Sequence, residues 1–165
     1  MKKVSSIILC SFGLLLSLAN LANAKEWRGI VPLQSNRSDV QRLLGKPALE
    51  GRNIEGFDID GVRVLVMYVR KRCEQGLPGD WGNWNVPANT VLNVYVPFPR
   101  EVRPADLKAL DLEALKSETD HSGATYYHDR KEGLDYHVNR LGFLEATVYG
   151  PAEEDAKLLC KKKAQ

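Results

Sequence analysis

Residues 57–69 read FDIDGVRVLVMYV, and their pattern decides the fold. Asp60-Gly61 stands between Phe57/Ile59 and the β-branched run that opens with Val62, Val64 and Val66. Asp-Gly places two consecutive residues at positive φ more readily than most dipeptides. That backbone makes a two-residue turn whose twist matches the strands on either side. The spacing predicts an antiparallel hairpin, and the long apolar stretch from Val62 to Val69 predicts a central strand. A second β-branched run, Thr90 to Val96 (TVLNVYV), is expected to stop at Pro97 and Pro99, because proline donates nothing to a strand ladder.

Upstream of the hairpin lies NRSDVQRLLGKP, residues 36–47. Asn36 can accept backbone N–H bonds at a helix start, and Asp39 three residues on completes a capping box. Ser38 with Gln41 offers a second start. Val40, Leu43 and Leu44 share a helical face, Gly45 suits a left-handed stop, and Pro47 prevents continuation. Before it, Trp27 to Leu33 is expected to be extended. Downstream, Pro104 is expected to open a second helix carrying Leu107, Leu110, Leu112 and Leu115, ended by Ser117 to Asp120. Three strands should follow, at 124–129, 134–139 and 142–149, with Gly133 and Gly142 closing the turns. Ala152 to Cys160 is expected to form one or two helical turns. The result is an α+β protein, an antiparallel sheet with helices on one face. Residues 25–165 form one domain, with two possible helix-plus-three-strand repeats over 25–99 and 100–165.

The string SNRSDVQRLLGKP (35–47) resembles the start of the BamE/SmpA family of outer-membrane-assembly lipoproteins, where a capped helix leads into an antiparallel sheet. The tandem layout is similar to that of beta-lactamase-inhibitor proteins. A wider pattern, WRGIVPL (27–33), RSDV (37–40), WNVP (84–87) and YGP (149–151), resembles small exported bacterial proteins of no assigned function. These resemblances imply a fold. They transfer no catalytic residue, and the lipid-attachment Cys of the BamE/SmpA family has no counterpart after residue 24, where Lys25 stands.

Residues 1–24 read as a cleaved export signal: Lys2 and Lys3, an apolar stretch from Ile7 to Ala19, then Ala22-Asn23-Ala24 as a small-x-small cleavage site. The apolar stretch is shorter than the about 20 residues that span a bilayer, although an uncleaved anchor is the alternative. The 165 residues carry 23 Lys+Arg and 21 Asp+Glu; losing the two signal lysines leaves 21 basic against 21 acidic. A near-neutral chain is a poor partner for nucleic acid or for an anionic membrane. Of the three cysteines, Cys10 leaves with the signal, so Cys73 and Cys160 are expected to pair as a disulfide after export. The alternative, a Cys nucleophile activated by His, has no local sequence in its favour.

The sequence has no H-E-x-x-H, G-x-S-x-G, Walker-type or G-x-G-x-x-G string. Two groups remain as candidate sites. If Asp129 pairs with Leu134, strand alternation puts His128, Asp135 and His137 on one face, where they could bind zinc or pass a proton. An ordinary solvated sheet face is the alternative. The long segment from Arg72 to Asn89 holds Trp81 and Trp84, which could anchor an interface or cover an open edge of the core. The expected function is an exported, non-enzymatic module that binds another envelope or extracellular protein. No cofactor, nucleic acid or stable membrane anchor is expected. The alternative is a small exported metal-assisted hydrolase using His128, Asp135 and His137.

Overall fold

The computed structural model describes residues 25–74, 83–107 and 110–161. The expected signal (1–24) and Trp81 lie outside the described residues. Eight strands run in chain order: β1 (Leu49–Glu50), β2 (Ile54–Ile59), β3 (Val62–Tyr68), β4 (Val91–Val102), β5 (Lys116–Thr119), β6 (Thr125–Asp129), β7 (Leu134–Val138) and β8 (Leu144–Tyr149). All adjacent pairs are antiparallel, in the order β1-β2-β3-β4-β8-β7-β6-β5. Two four-strand meanders therefore meet at their last strands.

The 57–69 hairpin forms as its sequence predicts. Ile59 pairs with Val62 around Asp60 and Gly61, both at positive φ. Helix α1 (Arg37–Leu44) also forms, with Asn36 accepting from the Ser38 and Asp39 amides and Asp39 returning to the Asn36 N–H. Val40 of α1 is fully buried against Phe57, Val64, Val66, Val91 and Val94. Beneath the helix sits a carboxylate that is almost completely buried, Glu55. It accepts from Tyr68 Oη at 2.6 Å and from Gln41 Nε2 at 2.8 Å, and Arg37 Nη1 approaches to 3.7 Å. Burial, then the bond to Glu55, push the Tyr68 hydroxyl well above the ordinary phenol range. A carboxylate so placed persists because it is bonded from both α1 and β3, fixing the helix on the sheet.

The helix-rich repeat arrangement is corrected. Among the described residues α1 is the single α-helix, and the protein is chiefly an eight-stranded antiparallel sheet. In place of a second helix stand two three-residue 3-10 turns, Pro104–Asp106 and Leu112–Ala114. Stepping about 100° per residue, Leu107, Leu110, Leu112 and Leu115 would spread over about 200° of a helix, too wide for one buried stripe. As turns, they all reach one core cluster with Val138, Leu144 and Tyr136. Of Ser117 to Asp120, expected to end that helix, residues 117–119 instead belong to β5, which pairs with β6. The second half thus has four strands, like the first. The C-terminal segment makes a 3-10 helix, Glu153–Leu158.

Strand β4 also runs past Pro97 and Pro99 to Val102. Its pairing with β3 stops at Leu65↔Tyr95, while pairing with β8 continues through Pro97↔Ala146 to Val102↔Leu144. The prolines lie where one side of the strand has lost its partner, which is where a strand tolerates them. Cys73 and Cys160 form the disulfide, across 87 positions of sequence. None of the described helices is long and apolar enough to cross a membrane.

Candidate functional site

Strand alternation gives the sheet two faces. The core face carries Phe57, Val64, Val66 and Val94 under α1, and Val138, Tyr136 and Tyr127 toward the 3-10 turns. Register traces a row across all eight strands of the second face: Leu49, Gly56, Leu65, Tyr95, Val148, Asp135, His128 and Lys116. A neighbouring row runs Ala146, His137, Tyr126 and Glu118. Gly56 adds no side chain to the first row, yet no gap opens. A Cβ there would meet Leu49 Cβ at 3.1 Å, Arg63 Cδ at 3.3 Å and Leu65 Cδ2 at 3.4 Å, so the two leucines and the Arg63 stem close over it.

The expected register holds, with Asp129 opposite Leu134 and His128 opposite Asp135. His128 Nδ1 lies 2.7 Å from Asp135 Oδ1, and its Nε2 lies 3.7 Å from Glu118 Oε1. The imidazole is held between two carboxylates on neighbouring strands. His137 shares the face but is used differently: it packs edge-on against Tyr126 at 4.7 Å and Tyr95 at 5.8 Å. Burial lowers its pKa, with Asp135 and Glu145 pulling the other way. Burial likewise raises the Tyr95 hydroxyl. The Tyr126 hydroxyl donates to Asp120, which also accepts from Ser122 and from the Ala124 amide. Those bonds, Ser122 first, hold the Asp120 carboxyl down at about 2. Among the described residues no group of three or more His, Cys, Asp or Glu is arranged to hold a metal.

Trp84 is buried, packed with Leu33, Val69, Val86 and Leu92, and its backbone bridges to Leu159. It is therefore a core residue whose ring is not presented as an exposed anchor. Where the Trp84–Leu159 bridge borders the second face, a cavity of about 450 Å³ opens, lined in part by His128, Asp135 and Val148.

Three features of this face were not anticipated: Tyr126, Tyr95 and the cavity. Tyr126, two residues before His128 on the same strand, had to share its face, so alternation alone would have found it. Tyr95 depends on the β4–β8 pairing, and the cavity on where the C-terminal segment docks; neither leaves a local sequence signal. The molecule belongs to the class of antiparallel-sheet proteins with one face packed under helix and turns and one face left half-buried and aromatic. No protein-family model matches the chain, and searches of curated proteins and solved structures find no match.

Proposed function

We propose that this is an exported, non-enzymatic binding module that recognises another envelope or extracellular protein through the second face of its sheet. One observation carries it: Leu65, Tyr95, Tyr126 and His137 form a half-buried apolar and aromatic surface across several strands, extended by the exposed Leu49, while α1 and the 3-10 leucines pack on the opposite face. Aromatic side chains with a polar tip suit protein contacts, and contiguous apolar surface on a folded chain marks interaction sites. The Cys73–Cys160 disulfide is compatible with export to the periplasm or beyond the cell.

Site-specific photo-crosslinking tests this. A crosslinking residue at position 95 or 126 should capture a discrete partner in native envelope fractions, and the same residue at position 42, on the exposed side of α1, should not. Equal capture from both sides, or from neither, removes the second face as the recognition surface. The hydrolase alternative has the His128–Asp135 bond in its favour, but the described residues supply no third ligand for a metal.

A further inference from the structure

The cavity beside the His128–Asp135 pair is built from four stretches of chain: Trp84, the start of β4, the β6–β7 hairpin, and the end of β8 with the C-terminal segment. Its walls are fastened together by backbone bonds. Gly150 N donates to Gly133 O at 2.8 Å, Glu153 N to Arg130 O at 2.7 Å, and Cys160 N to Asn83 O at 2.8 Å. At Gly133, with φ +68°, an added Cβ would stand 2.4 Å from the Gly150 carbonyl oxygen, so only glycine lets the turn press this closely on the C-terminal segment. The disulfide at Cys160 ties the same segment down. The volume, about 450 Å³, lies within the range of small-ligand sites, and a fastened wall reduces the ordering cost of binding.

The lining selects by charge. It includes three carboxylates, Asp129, Asp135 and Glu153, against one guanidinium, Arg130, and the imidazole of His128, which is bonded to Asp135. Leu92, Val148 and Leu159 supply an apolar side. From this combination we propose that the cavity binds a small organic cation, an ammonium or guanidinium group carrying a short apolar body. The polar head lies toward Asp135 and Glu153, the apolar body against Leu92 and Leu159. This site does not depend on the protein-binding role of the face, because neither Tyr95 nor Tyr126 lines it.

The test uses disulfide-intact protein, residues 25–165, titrated by calorimetry with hexylammonium, hexanoate and hexanol. Hexylammonium should saturate one site, and hexanoate and hexanol should not. Asp135→Asn and Glu153→Gln should each weaken it about fivefold or more while leaving the circular dichroism spectrum unchanged; removing one of three attracting carboxylates is an effect of about 1 kcal/mol, which is about fivefold. High salt should weaken binding to the parent. No saturation by hexylammonium, equal binding of hexanoate, or variants that titrate like the parent would each overturn the proposal. The crosslinks at positions 95 and 126 are read independently of these titrations.

Discussion

The two meanders share a strand count and differ in what specifies them. In the first, a capped helix is bonded to the sheet through one buried carboxylate, and Glu55, Tyr68, Gln41 and Arg37 converge from two elements. In the second, no α-helix is seen among the described residues. Leucines from short turns fill the core, β5 is exposed along its whole length, and order comes from turn chemistry such as the Asp120 hub. A buried carboxyl needs hydrogen-bond partners at fixed positions, whereas apolar turns need only volume. The first half is therefore sensitive to single polar changes, and the second to loss of its tethers.

The largest expected effect breaks the tether. Replacing Cys73 and Cys160 with serine should cost roughly 4.6 kcal/mol on the chain-entropy model for an 87-residue separation, read as a lower urea midpoint. Amide exchange should rise first in 151–161. Uniform acceleration through both meanders would erase the proposed difference between them. Next, Glu55→Ala should destabilise by about 3 kcal/mol, since Tyr68 and Gln41 each lose a bond to a charged acceptor. Its exchange effects should centre on α1 and β3, and a loss under about 1 kcal/mol would mean that the network adds little to packing.

The smallest effect is on pH. Burial holds the folded His137 pKa below its unfolded value, so the unfolded chain takes up more protons as pH falls through that unfolded value. Stability from this group is full above it and declines toward the folded pKa. Asp120, held at about 2, adds stability above the unfolded carboxylate range that disappears as pH falls toward 2. The histidine range lies above the carboxylate range, so acidification should loosen β6 and β7 around His137 first, before α1, whose capping carboxyl Asp39 is also held low. Exchange measured at pH 7 and pH 5 checks the order, and His137→Phe should abolish the first step.

Legibility in the sequence followed the same division. Asn36, Asp39 and the Asp60-Gly61 pair act within four residues of themselves, so α1 and the β2–β3 hairpin were readable. The Arg130–Gly133 turn fixed the register that brings His128 to Asp135. Ile54 to Phe57 also held an unread signal, since alternation places Glu55 beside Phe57 on the core face. The second half misled because four leucines near Pro104 look helical when counted and not when projected. Strand β5 has no buried residue to announce it; its evidence is a partner, β6, that only the fold supplies. The continuation of β4 beyond Pro97, and the aromatic row through Tyr95, depend on β8, about forty residues later in the chain.

That distance has a consequence for a chain that emerges N-terminus first. Strand β4 is complete, with one side zipped to β3, well before β8 exists to cover the other. For that interval Val91 to Val96 present a β-rich border open to any neighbouring chain, the kind of edge that seeds intermolecular pairing. Pro97 and Pro99 interrupt the donor row along its continuation, limiting how far a stray strand can zip before the rightful one is made. Residues that read as terminators of a strand are then sentinels of its assembly: exchanging both for threonine should leave the finished sheet standing and raise the share of newly made protein that aggregates.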